Sequence, residues 1–405
     1  MLRARLGALG EAPVGVLLRG AAPVLALSVD QLVAWGVLYY AYTVLSRPIA
    51  ADLGVAPLYV AGAFSVCLLT AGWAGQRVGA ALDERGTRGT LRLGALLAPP
   101  AFAGLALVRG EVSLVVAFVL LGAVQSLSLY EPAFRTLVDW YPRPRARARA
   151  MLALTCVAGL ASTLFLPLTG ALVGQHGWRL TVVLLAVGLA LVLLPVRYGL
   201  PLSERRRAPP SPSPRAPSSR SSRLLEAGVS IQSFAATGVS VYLLWHLVER
   251  GTPPATAAGI AGLAGAAQVP GRVAAVPLRR AIGGAVFLPL LLVVQASSLA
   301  GVVLGPSGVA TASALVFGGA SGMMTLERVT VLVEWYGRRS FGARQGQLSF
   351  ATSIARAVAP LVVELGHHVA SYRLVFSALA VALAVGAWLC SAAARARAAE
   401  GGSAS

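Results

Sequence analysis

Among the ionisable side chains inside long apolar runs of this chain are Asp30, Glu131, Arg272, Glu327, Arg328 and Arg356. A charged group at the centre of an apolar helix costs about 2.5–3.5 kcal/mol on insertion scales, so each is expected to pair or to line a polar cavity. Guanidinium groups grip carboxylates and phosphates through paired N–H donors. Arg272 and Arg356 therefore fit a basic patch for an anionic substrate, with Glu131 or Glu327 neutralising it while the patch is empty. A plainer reading stands beside this one. In it Arg356 belongs to an Arg–Glu pair that only ties neighbouring spans together, and Arg272, toward the end of its span, snorkels to the headgroups. Asp30 reads equally as a proton-coupling carboxylate or as a residue near the headgroups. Tyr39, Tyr40 and Tyr42 offer hydrogen bonds to cargo or form an interfacial aromatic belt; Tyr39 and Tyr42, one helical turn apart, share a face.

The elements that hold these residues are apolar and long. Of 405 residues, 57% are hydrophobic and 12% charged, and the mean hydropathy is +0.74, which is too apolar for soluble domains of this size. A hydrocarbon core of about 30 Å demands roughly 18 or more apolar residues of a helix. Twelve runs qualify: 21–46, 56–76, 91–108, 112–138, 150–174, 179–200, 225–248, 254–276, 282–304, 307–333, 345–366 and 371–394. Their length and the lack of sustained alternation predict helices instead of barrel strands.

The net charge of +19 is explained by position and calls for no nucleic-acid partner. Every basic residue other than histidine is Arg, and 24 arginines fall in one alternate set of loops and termini against 5 in the other. The positive-inside rule places the rich set and both termini in the cytoplasm. "MLRARLGALG" begins like a signal peptide, but Glu11 and Arg19 interrupt its apolar stretch, so it reads as a cytoplasmic lead-in. Cys67, Cys156 and Cys390 lie in apolar spans without metal-ligand spacing and read as small packing residues. No cofactor is expected, and no nucleotide-binding loop occurs.

Residues 201–224, "PLSERRRAPPSPSPRAPSSRSSRL", have the composition of a disordered linker. They divide the chain into a lead-in (1–20), a first six-span bundle (21–200), a second (225–394) and a cytoplasmic tail (395–405). The halves echo each other. Asp139-Trp140-Tyr141 falls on Glu334-Trp335-Tyr336 at an offset of 195, and Trp178-Arg179-Leu180 on Tyr372-Arg373-Leu374 at 194. Such a duplication suits alternating access, in which two bundles rock about a site near the bilayer midplane.

Between the second and third spans, "GAALDERGTRG" carries Gly79, Asp83, Gly86 and Arg88 in the pattern G-x-x-x-D-x-x-G-x-R. This resembles the signature loop of the major facilitator superfamily, and the six-plus-six layout agrees over nearly the whole chain. The resemblance implies an all-α polytopic fold of twelve helices in two pseudo-symmetric bundles, with spans one, four, seven and ten lining a central cavity and two, five, eight and eleven flanking it. It also implies that Asp83 faces the start of span eleven, near Ser340 to Arg344, and latches the halves while the cytoplasmic side is closed. The family usually places a basic residue directly after the Asp; here Glu84 intervenes before Arg85. "AWGVLYYAYTVLSRPIAADLG" and "QVPGR" resemble the branch of monocarboxylate transporters and oxalate/formate exchangers. Those carriers have Asp-x-x-x-Arg in span eight, with the Arg on the substrate carboxylate, where this chain has Gln268-x-x-x-Arg272.

The expected function is secondary active transport of a small organic anion such as a monocarboxylate, with a proton as candidate co-substrate, by a monomer in the plasma membrane. Proton-coupled drug export is the alternative, since "LPLTGA" at 166–171 partly matches the antiporter motif of span five. Two remoter classes are an intramembrane serine protease, for which "GASG" at 319–322 supplies G-x-S-G, and a membrane sensor. The protease needs a His facing Ser321, but His246, His367 and His368 fall near span ends.

Overall fold

The computed structural model describes residues 14–202 and 219–402, with side chains for all of these except 14–21, 80, 83, 85, 144, 337–343, 345–346 and 401–402. Most of the expected linker, the first thirteen residues and the last three lie outside this description, as do the side chains of Asp83 and Arg85.

Ten helical runs are long and apolar enough to cross a membrane by length and composition. One of them, Arg145–Gly199, is two helices that meet at Gly177. Its φ of 73° lies in the region that glycine enters without steric cost. A further pair, Pro254–Ala266 and Gln268–Ile282, is short in each piece but joins end to end through Ala267, whose backbone is helical. With these the described residues hold the twelve expected segments. They are α1 (Ala22–Leu53), α2 (Pro57–Arg85), α3 (Thr87–Leu107), α4 (Glu111–Trp140), α5 (145–176) and α6 (178–199) in the first half. The second half holds α7 (Arg220–Glu249), α8 (254–282), α9 (Gly284–Leu304), α10 (Ser307–Tyr336), α11 (Gln347–Val369) and α12 (Tyr372–Glu400).

Turn chemistry sets the boundaries. Gly54, at φ 65°, closes α1 with its N–H on the Ala50 and Ala51 carbonyls, and Pro57 opens α2, where its missing N–H costs nothing. Gly86 takes φ 79° between α2 and α3, so within the signature loop it is the glycine the backbone requires. Gly79 lies within α2 and a Cβ there would meet nothing.

Each half repeats one packing scheme. Within the first, α1 packs on α5 and α6, α2 on α4, and α3 on α6; within the second, α7 packs on α11 and α12, α8 on α10, and α9 on α12. The halves meet along α2–α11 and α5–α8. Glycine permits the closest contacts: a Cβ at Gly271, Gly318 or Gly322 would collide with backbone across the α8–α10 seam, as small residues do where helices approach in lipid. Leucines and valines such as Leu97, Leu120, Val187 and Val381 face outward, a surface that only a bilayer tolerates at this extent. The most buried runs are α7 at 67% and α1 at 56%, against 33% for α12, so α1 and α7 form the centre.

Candidate functional site

Between the halves lies a cavity of about 490 Å³. Its wall comes from α1, α2, α4 and α5 on one side and α7, α8, α10 and α11 on the other; no described residue of α3, α6, α9 or α12 reaches it. Of the sequence-predicted site residues, Arg272, Arg356, Gln268, Glu131, Tyr39 and Tyr40 line this wall. Asp30 and Glu327 do not.

The first half contributes an aromatic surface shaped by two helix irregularities. Residues Gly36–Tyr40 form a π-helical turn in which the Ala41 N–H reaches back to the Gly36 carbonyl. Such single turns insert a residue and shift the register of the helix beyond them. Gly36 suits the position because a Cβ there would strike the Phe165 ring. The turn puts the consecutive Tyr39 and Tyr40 on the cavity wall, and Tyr42, expected to share the face of Tyr39, instead stacks on Phe64 at 3.7 Å, buried outside the wall. Leu38, inside the turn, gives its carbonyl to Gln125 Nε2 at 2.7 Å. In α4 the helix breaks at Leu129, whose backbone is extended, just ahead of Pro132. Beyond the break Tyr130 sits 4.8 Å from Trp35 and stacks on Phe134 at 5.0 Å.

The break also explains Asp30. Pro132 has no N–H to give the Ser128 carbonyl four residues earlier, and Arg197 Nη2 and Gln31 Nε2 donate to that carbonyl instead, both at 2.9 Å. Arg197 then grips Asp30 through Nε at 2.8 Å and Nη2 at 3.0 Å. Both side chains are fully buried. Asp30 is thus neither at the headgroups nor on the cavity wall. Glu327 is likewise engaged elsewhere: Arg279 Nε donates to its two oxygens at 2.8 and 3.0 Å and Arg279 Nη2 to Glu334 at 2.6 Å.

The charges that do line the cavity are Glu131, Arg272, Arg328 and Arg356. Arg272 crosses between the halves, donating to the Thr155 carbonyl and, at 3.3 Å, to Gln268 Oε1; Gly159 leaves the room for it, since a Cβ there would fall 2.8 Å from Arg272 Nη1. Among the described residues, Arg328 and Arg356 make no hydrogen bond and no ion pair, and the Nε atoms of Arg272 and Arg328 are buried without an acceptor. Glu131 has no ion-pair partner among the described residues and lies against Gly75, 3.2 Å from where a Cβ would stand. The wall is completed by hydroxyls and amides of α7, including Gln232, Ser233, Thr237 and Ser240. Arg328, an intramembrane charge in the sequence without an expected place in the site, lines the wall beside Arg356. The signal was available: its neighbour Glu327 cannot share its face on a helix.

Toward the arginine-poor face the cavity is shut by contacts between the halves. Trp245 Nε1 donates to the Thr43 carbonyl at 2.7 Å and the Leu361 N–H to Ser65 Oγ at 3.1 Å. Arg47 Nη2 meets Glu364 Oε1 at 3.0 Å and also donates to the Tyr372 hydroxyl, which in turn donates to Glu364 Oε2 at 3.0 Å. Ser321, the candidate nucleophile of the protease reading, accepts from Gln295 Nε2 and donates to the Phe317 carbonyl, each at 2.8 Å. His246, His367 and His368 fall at this end of their helices, with His367 3.7 Å from Glu364. Arg344 donates to Ser222 and Gln347 within its own half, and the side chain of Asp83, its expected neighbour in the inner latch, lies outside the described residues.

A family model described as Major Facilitator Superfamily matches residues 31–326. No curated protein matches the chain by sequence. Among solved structures, a bacterial homologue of the human lysosomal transporter Spinster, inward-facing and unoccupied, is 15% identical with a TM-score of 0.75, covering 93% of this chain and 97% of its own. The nucleoside transporter NupG, as a point variant, is 12% identical at a TM-score of 0.74, covering 92% and 99%. The human organic anion transporter MFSD10 is 17% identical at 0.65, again over 92% and 99%. At these identities the likeness is one of fold.

Proposed function

Because the chain belongs to the Major Facilitator Superfamily, and is by that membership a multi-pass membrane transporter and no enzyme, we propose that it carries a small organic anion, such as a monocarboxylate, by alternating access. In this reading it works as a monomer in the cytoplasmic membrane with both termini and the arginine-rich loops inside, and the cavity opens toward that side. The single observation that carries it is the charge of the wall. Three guanidinium groups face the cavity against one carboxylate, and two of the three have no partner among the described residues. Leaving such groups unpaired is costly, so a site that keeps them is built for an anion that arrives from outside the chain. The relatives carry different cargoes, and the cavity's own chemistry is what selects among them.

Glu131 favours a second reading, proton-coupled export of a cationic drug, because an unpaired carboxylate on the wall can exchange a proton for a cation. Thermal shift of the purified protein against carboxylates, sugars and lipophilic cations separates the two, since only ligands that bind the folded state raise its melting point. Anion carriage predicts stabilisation by carboxylates and none by cations. Stabilisation by cations alone sinks it in favour of export.

A further inference from the structure

Arg328 and Arg356 line the cavity from α10 and α11 of the second half, and among the described lining residues Glu131 of the first half is the one carboxylate. Across from them the first half presents the rings of Trp35, Tyr39, Tyr130 and Phe134, linked at centroid distances of 4.8 to 5.4 Å. Arg272 lines the same cavity from α8, where it donates to the Thr155 carbonyl of the first half. Tyr39 lies within electrostatic reach of Arg356, and Tyr40 and Tyr130 within reach of Arg272. Tyr39 and Tyr40, with ring centroids 5.1 Å apart, line the same wall as the three arginines.

With Glu131 ionised the wall keeps a surplus of two positive charges. A monoanion neutralises half of it; a dianion neutralises it fully. An aliphatic dianion would leave the aromatic surface without a partner, whereas a planar ring gains offset or edge-on contact with it. The indole Nε1 of Trp35 is itself buried without an acceptor. The cavity, about 490 Å³, is in the range that holds a single small ligand.

Resting on the organic-anion reading, we propose that the substrate is an aromatic dianion: one anionic group held by Arg328 together with Arg356, the ring against Trp35 and Tyr130, and the second anionic group at Arg272.

The test uses the full-length protein in detergent with three probes: terephthalate, benzoate and succinate. Terephthalate is expected to bind about tenfold or more tighter than either of the others, since each loses one charge-assisted contact or the ring contact. Arg328→Gln is expected to remove most of this preference. Arg328→Lys, which keeps the charge and loses the planar fork, is expected to retain part of it, and it stands in should the Gln variant fail to fold. Benzoate binding as tightly as terephthalate, succinate binding as tightly as terephthalate, or a preference untouched in both Arg328 variants each overturns the aromatic-dianion assignment and leaves organic-anion carriage in place. If none of the three anions shifts the melting point of the folded protein, both readings fall.

Discussion

Two groups of charges inside the bilayer are handled in opposite ways. Asp30 and Arg197 are fully buried, bidentate and surrounded by further hydrogen bonds from Gln31 and to Ser128 and Leu91. Arg328 and Arg356 face a cavity and have no partner among the described residues. The first arrangement joins α1, α3, α4 and α6 into a bundle, and it even uses the carbonyl that Pro132 frees. The second leaves its donors open to whatever enters. Charge in an apolar span is fully paired in the first group and open to the cavity in the second, and the proposed anion carriage rests on the second.

The largest effect expected from disturbing this contrast is at the satisfied pair. Asp30→Ala strands Arg197 in a buried site, and loss of one partner of such a pair costs about 3–5 kcal/mol. Unfolding of the detergent-solubilised protein should show it as a large drop in melting temperature, and Asp30→Ala with Arg197→Met should recover part of the loss. A single variant that melts like the wild type would break the distinction between the two groups.

A smaller effect is expected at the closed end of the cavity, where Arg47 is a quarter exposed and Glu364 buried. Glu364→Gln removes one ionic tie between the halves, an effect of about 1 kcal/mol, or roughly a fivefold change in population. A cysteine introduced at the wall residue Thr237, in a chain with Cys67, Cys156 and Cys390 replaced by Ser, reports it. Its labelling by a membrane-impermeant maleimide from the arginine-poor face should quicken by about that factor, and an unchanged rate would show that this contact does not hold the halves shut.

The sequence made the membrane class, the spans and the duplicated halves legible because apolar length and charge sidedness are local properties. Polar and aromatic side chains inside apolar runs were legible too, and of these Arg272, Arg356, Glu131, Gln268, Tyr39 and Tyr40 line the cavity while Asp30 and Glu327 do not. Pairing was not. Asp30 meets Arg197 from 167 residues away and Glu327 meets Arg279 from 48, and which way a side chain faces depends on helix rotation. Rotation is altered further wherever a helix deviates: the π-helical turn at Gly36–Tyr40 sends Tyr40 to the wall in place of Tyr42. The family resemblance implied a cavity lined by spans one, four, seven and ten with two, five, eight and eleven flanking it; in the structure all eight reach the wall, and no periodicity in the residues would have supplied either arrangement.

Melting temperature set beside uptake in proteoliposomes for Arg356→Gln probes the open pair most directly. Removing an unpaired positive charge from beside Arg328 should leave the melting temperature at or above the wild-type value while uptake of the transported anion falls about tenfold or more. Wild-type uptake, or a collapse in stability like that expected of Asp30→Ala, would contradict the claim that this arginine is held open for cargo.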